Sequence, residues 1–378
     1  MDLAKQNGAT KASGLEGVVV ADTTLSEVDG ERGRLVVGGH DIEALAGRVG
    51  FEELCGLLWT GAFPDAETRG AIGKALAEGR ALAFGQIPAI GEALVAEDGS
   101  AALIAAVAHF GARAAWRAEG AVVPWIELAR VTGAVATFAA AWARRRAGGA
   151  PIAPDVSRGH AADFLRMVRG VAAPEAAARA LDAYLVTVAD HGMNASTFTA
   201  RVVASTGSDL VSAIVAAIGA LKGPLHGGAP GPVLDMLDAV GEPSRADAWI
   251  TAELAAGRRI MGMGHRIYRV RDPRAAVLER AIGELERDGS VGARLGLARA
   301  TERAAEALLA ERHPDRPLKA NVEFYTAVLL DAVGLPRELF TPTFAVGRAA
   351  GWSAHVLEQR RTGRLIRPAS RYVGAVPA

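Results

Sequence analysis

Between Asp209 and Leu221, apolar residues return at Leu210, Val211, Ile214, Val215, Ile218 and Leu221, the spacing that lines one stripe of an α-helix. Asp209 suits the cap of such a helix, and Gly223-Pro224 ends it. The same period governs nearly everything after residue 39, so the chain must bury its apolar area helix against helix. Strand and helix units do not alternate, which argues against a doubly wound nucleotide-binding sheet. Only residues 16–39 read otherwise. Short β-like runs at Val18–Val20 and Leu35–Val37, with turn formers at Asp29-Gly30 and Gly38-Gly39, predict a small N-terminal hairpin. The stretch 147–155 (AGGAPIAPD) reads as a connecting loop, because its glycines and prolines deny both helix and strand. The expected fold class is all-α.

At 378 residues the chain exceeds the usual single core, so a large helical domain carrying a smaller one, with a cleft between them, is expected. Lys plus Arg and Asp plus Glu each number 42, which gives no overall field to attract nucleic acid or a membrane surface. Any function must therefore be local. The single cysteine, Cys55, can form no intramolecular disulfide, which fits a reducing compartment and makes the cytoplasm the expected location. The first residues lack an apolar signal core, and no apolar run is long enough to span a bilayer. Only five of the 42 basic residues are lysine, so an isolated arginine carries little information.

Four segments set ionisable groups among glycines and apolar residues, the pattern of a buried site. They are Asp190–Thr197 (DHGMNAST), Gly223–Ala229 (GPLHGGA), Met261–Arg274 (MGMGHRIYRVRDPR) and Asn321–Tyr325 (NVEFY). His226 lies in a Gly-Pro/Gly-Gly turn, where it could serve chemistry or only satisfy loose helix carbonyls. His265 precedes Arg266, Arg269, Arg271 and Arg274, an arrangement suited to a polyanionic ligand or to a solvated basic loop. Asp272-Pro273 reads as a helix cap and first-turn proline, which fixes Arg274 in the first turn and aims it at a cleft. Glu323 follows the cap residue Asn321 in a helix running to Gly334; its carboxylate could serve the helix dipole or a reaction. His191, His226 and His265 are 35 and 39 residues apart with no paired His or Cys spacing, so no metal site is expected. The nucleophile elbow Gly-x-Ser-x-Gly is missing.

In order and spacing, DHGMNASTF, LKGPLHGGA, MGMGHRIYRVRDPRA, NVEFY and FAVGRAAGWSAHVLEQ resemble the citrate synthase family, from GLEGVVVADTTLSEVDG at 14–30 to RPASRYVG at 367–374. The resemblance implies a two-domain helical fold. Residues 1–227 plus 335–378 would form the large domain, with dimerisation and oxaloacetate sites, and residues 228–334 the small one, with the CoA site, closing over the substrates. It implies condensation of acetyl-CoA with oxaloacetate and then thioester hydrolysis to citrate and CoA. His226 would hydrogen-bond the thioester carbonyl, the carboxylate at 323 would remove the methyl proton, and His265 would polarise the ketone. The oxaloacetate ligands match His191, Arg274, Arg348 and, from the partner subunit, Arg367, so a homodimer is implied. Arg269 matches a contact to CoA phosphates. No permanent cofactor and no metal are implied; the CoA thioester is a substrate. The N-terminus is similar to the short dimeric type, without the extra domain of the hexameric, NADH-inhibited branch.

Three positions depart from the family pattern. The usual Asp of the NVDFY-type motif is Glu323, an RGYDI-like motif reads Gly38-Gly39-His40-Asp41-Ile42, and an HPMDALR-like segment is missing near 87–103. Asp and Glu differ by only about 0.4 pKa units, worth about 0.5 kcal/mol. Geometry matters more, since a displacement of about 1 Å can cost on the order of 100-fold in rate. The pocket is therefore expected to have moved to fit the added methylene. Propionyl-CoA, giving 2-methylcitrate, is the close alternative substrate, and a non-catalytic paralogue binding oxaloacetate or CoA is the rival class.

Overall fold

The computed structural model describes residues 14–15, 17–113, 124–226, 230–265, 267–289, 294–315 and 318–375. Arg266, the Gly227-Gly228-Ala229 turn and the polar segment 1–13 lie outside the described residues. The chain opens with three antiparallel strands, β1 (Ser26–Asp29), β2 (Arg34–Val37) and β3 (His40–Asp41), in that order. The turn at 30–33 sets the register by pairing Asp29 with Arg34 and Ser26 with Val37. That corrects the expected hairpin: its first strand is Ser26–Asp29, and Val18–Val20 makes no ladder. Partners in a hairpin must flank its turn at equal distance, which Val18–Val20 does not, and Val19 is left 82% exposed.

Helices fill the rest. First come α1 (Ile42–Leu45), α2 (Phe51–Thr60), α3 (Ala66–Ile90), α4 (Gly99–Ala112) and α5 (Pro124–Arg146). The loop from Ala147 follows as expected, then α6 (His160–Arg169), α7 (Glu175–Val188), α8 (Ala195–Ser205) and α9 (Leu210–Leu221). The last six are α10 (Pro230–Val240), α11 (Ala246–Ala255), α12 (Pro273–Arg287), α13 (Arg294–Arg312), α14 (Val322–Ala332) and α15 (Phe340–Thr362). The all-α expectation holds. No described helix is long and apolar enough to cross a membrane.

Helix α15 is the axis of the core. It is buried without interruption from Pro342 to Val356, as a helix walled in on all sides must be. It packs against α2, α5, α7, α8 and α9. Against α7 the backbones nearly touch: a Cβ on Gly351 would sit 2.1 Å from the Ala189 carbonyl oxygen, so only glycine fits there. This contact brings Arg348, one turn earlier, onto the C-terminal end of α7.

Farther along the chain, α12 packs on α7 and α14, α14 on α10, and α11 on α13. Two loops are laced together ahead of α12 and α14. Gly264 N donates to Lys319 O at 2.7 Å, Asn321 N to Gly262 O at 2.9 Å, and Asp272 N to Ala320 O at 3.2 Å. The N-terminal sheet bears on the first of these loops. Arg269 N donates to Gly30 O at 2.9 Å, and a Cβ on Gly30 would lie 2.3 Å from the Ile267 carbonyl oxygen.

Candidate active site

Local signals place each group. Asn194 caps α8 by accepting from Thr197 N at 3.0 Å, which fixes the bend that leaves His191 in the α7–α8 connection. Asp272 caps α12 through Arg274 N at 3.0 Å, with Pro273 in its first turn as expected. Asn321 caps α14 through Glu323 N at 3.0 Å. His226 sits in a turn after α9 whose backbone closes onto Gly223 O at 2.9 Å.

The imidazole of His265 accepts at Nδ1 from Ile267 N (3.0 Å) and Tyr268 N (3.1 Å). A neutral ring accepting there carries its proton on Nε2, so His265 presents a donor away from its own loop. Its ring lies edge-on to His191 at 5.8 Å, and His191 Nε2 is 3.0 Å from the Tyr268 hydroxyl. His226 Nε2 is 2.8 Å from Ser196 Oγ, which also receives Trp352 Nε1 at 3.1 Å. Burial, then Arg348, lowers His226 to about 4; burial, then Arg274, lowers His265 to about 4. Burial, then Arg274 and Arg348, holds His191 far below its ordinary value. All three rings are neutral at pH 7.

Arg274 and Arg348 are both almost fully buried. Arg274 holds Asp272 in a bidentate pair, Nε to Oδ1 at 3.0 Å and Nη2 to Oδ2 at 2.7 Å. Asp272 Oδ2 also accepts Val322 N at 3.2 Å, so one carboxylate joins the starts of α12 and α14. Arg348 donates from Nε to Val188 O and lies over the Phe344 ring at 4.6 Å. Burial, and then the repulsion of Arg274, bring Arg348 down to about 10 against the attraction of Asp190. Two buried guanidiniums repelling each other form a site for a dianion.

Glu323 faces the same space. Burial pushes its carboxyl up to about 7 against the attraction of Arg274 and Arg348, with Asp272 adding to the rise. An acid of that strength exchanges its proton at neutral pH. Behind the site, Asp190 accepts from His355 Nε2 at 3.0 Å, and His355 Nδ1 accepts from Arg201 Nε at 3.0 Å. Burial opposes its ionisation, but His355, Arg348 and the Ser26 hydroxyl hold Asp190 below its ordinary value, so it backs the buried cations with a charge.

The space thus holds two fixed cations, three neutral imidazoles and one carboxyl titrating near 7. The family model of the C-terminal domain of citrate synthase matches residues 14–369. The chain belongs to the citrate synthase family. It is 40% identical to the citrate synthase of Haloferax volcanii over 370 residues, 96% of this chain and 95% of that one. Against a 2-methylcitrate synthase of Mycobacterium tuberculosis it is 36% identical over 370 residues, 96% and 90% of the two chains. Among solved structures, citrate synthase from Thermoplasma acidophilum in ternary complex with carboxymethyl coenzyme A and oxaloacetate superposes with a TM-score of 0.85. Its identity is 28%, covering 97% of this chain and 96% of that one. The chain is therefore an enzyme of the citrate synthase type, a transferase.

Of the residues singled out in the sequence, the structure brings together His191, His226, His265, Arg274, Glu323 and Arg348; Arg348 interacts with His191, His226, Arg274 and Glu323. Two lie apart. Arg367 is exposed and lines a groove of about 1100 Å³ with Thr24, Leu57, Arg201 and Glu358, none of them among the six residues above. Arg269 is at the surface, 3.8 Å from Glu31 on the hairpin turn. Among the described residues no cluster of three His, Cys, Asp or Glu side chains could hold a metal ion. Sequence reasoning missed Ser196, Tyr268 and the clamp role of Asp272, all inside the motifs it quoted. It also missed Asp190 and His355, inside quoted motifs as well, and Tyr184, which lies outside them; the packing of α7 on α15 brings these three together.

Proposed function

We propose that the enzyme condenses acetyl-CoA with oxaloacetate and hydrolyses the resulting thioester to citrate and CoA. The observation that carries this reading is the placement of a carboxyl titrating near 7, Glu323, beside two buried arginines and neutral imidazoles. Glu323 takes a methyl proton from the thioester. His226 donates to the thioester oxygen as enolate charge develops. Ser196 supports this, because its single hydroxyl proton has two acceptors 2.8 Å away, Asn194 Oδ1 and His226 Nε2. Given to His226, it leaves the ring proton on Nδ1, which makes Nδ1 the ring's donor.

The new carbon–carbon bond joins the methyl carbon to the ketone carbon, and His265 Nε2–H stabilises the ketone oxygen as it gains charge. His191, Arg348 and the free N–H groups of Arg274 hold the oxaloacetate carboxylates, completed by Arg367 of a second subunit in a homodimer. Arg269 meets the CoA phosphates. Residues 228–334 act as the small domain that closes over both substrates against 1–227 plus 335–378. Water then cleaves the thioester and releases the thiol.

Thiol release from acetyl-CoA that requires oxaloacetate is the expected result. Near-normal release by Glu323→Gln would sink the assignment, and stabilisation by oxaloacetate without release would favour a non-catalytic binder. The likeness to a 2-methylcitrate synthase favours propionyl-CoA as the second reading. One methylene in an apolar pocket is worth about 1–3 kcal/mol, so paired kcat/KM values on the two thioesters decide between them.

A further inference from the structure

Tyr184 lies on α7 one turn before Val188, whose carbonyl accepts Arg348 Nε. On this side α15 comes in close, with a Cβ on Gly347 only 2.7 Å from Val188 Cγ2. The Tyr184 ring is wholly buried and its hydroxyl has no hydrogen-bond partner among the described residues. Leaving a buried hydroxyl unpaired is costly, so such a group calls for an explanation. Helices α14, α15 and α12 all pack on α7, and the charges that act on the phenol from them are Glu323, Arg348 and Arg274. A guanidinium can donate to the phenol oxygen but cannot take its proton. Among these three groups, Glu323 alone is an acceptor. Burial raises the phenol well above its ordinary value, so it stays a donor at any working pH.

We propose that Tyr184 is a positioning residue of this site: with substrates bound, its hydroxyl donates to the Glu323 carboxylate and fixes that long side chain for proton removal. The proposal rests on Glu323 being the base. A glutamate has three rotatable bonds between backbone and carboxylate, and one fixed donor selects among their rotamers. The donor favours the ionised form, adding to Arg274 and Arg348 and opposing burial and Asp272.

The test is Tyr184→Phe in the full-length enzyme, which removes the hydroxyl and keeps the ring. The expected result is a kcat lowered about tenfold with both KM values within about twofold, since the lost contact acts on the base. The acid limb of the kcat profile moves up by about one pH unit, because the carboxylate has lost a donor. In a Glu323→Asp background, where the carboxylate is drawn back by one methylene, the same change costs much less. Unchanged kcat and acid limb, or a rise in the oxaloacetate KM alone, would overturn the proposal. A readout independent of turnover is infrared titration of the Glu323 carboxyl with oxaloacetate present, assigned by its loss in Glu323→Gln. A higher midpoint in Tyr184→Phe supports the contact, and an equal midpoint refutes it. A wild-type enzyme that releases no thiol would instead count against the proposed function, while the infrared titration still judges this contact.

Discussion

Helix α7 carries Asp182 two residues before Tyr184, on its opposite side, and Asp182 invites comparison with Glu323. Both carboxyl groups are pushed up to about 7, chiefly by burial. Around Asp182 stand Glu52 and Glu53, which repel it, and the Phe51 N–H at 3.2 Å, which favours its charge. Around Glu323 stand two buried guanidiniums and a second carboxylate, Asp272, with neutral imidazoles beside the same arginines. The first set is a helix start crowded with acids; the second can bind a dianion and exchange a proton beside it. A displaced pKa reports burial, and the neighbours decide whether it is of any use.

The sharpest break between the two sites is enzymatic. Glu323→Gln is expected to lower oxaloacetate-dependent thiol release about 1,000-fold with the circular dichroism unchanged, whereas Asp182→Asn leaves kcat within about twofold. Equal losses in both variants would erase the distinction. Next in size is the clamp that only the Glu323 site possesses. Asp272→Ala leaves Arg274 buried without its carboxylate and strips a cap, so urea unfolding is expected to show a loss of about 3–5 kcal/mol.

A smaller effect is expected at Ser196, whose hydroxyl lies against the His226 imidazole in the Glu323 site. Ser196→Ala is expected to lower kcat about tenfold, with little change in the KM for oxaloacetate. The smallest change tests stability against pH. The folded-state value of Asp182 lies above the ordinary one of about 3.9, so folding favours its protonated form. The stability tied to that proton is whole below about pH 4 and is lost as pH rises through 7. Asp182→Asn keeps an acceptor for Phe51 N–H and is expected to gain about 1–2 kcal/mol at pH 8 and nothing at pH 4 in thermal unfolding.

Much of the site was readable because its residues sit at helix starts with local signatures. Asp209, Asp272-Pro273 and Asn321 each cap the helix that follows them. Arg348 was harder, since α15 is buried all round and no polar face marks the position; only the family likeness pointed to it. Val18–Val20 misled because a run of β-branched residues states a preference but not a partner. Tyr184, His355 and the Glu52–Asp182 repulsion depend on contacts between distant parts of the chain. No local pattern encodes them.

The turn at 30–33 acts as a shim beneath the loop that carries His265. Its thickness at Gly30 is less than that of one methyl group, since any Cβ would run into the Ile267 carbonyl. Ile267 and Tyr268 in turn hold His265 by two backbone N–H groups. The height of the N-terminal sheet therefore sets the aim of the imidazole, and a side chain added at position 30 would tilt a residue 235 positions away.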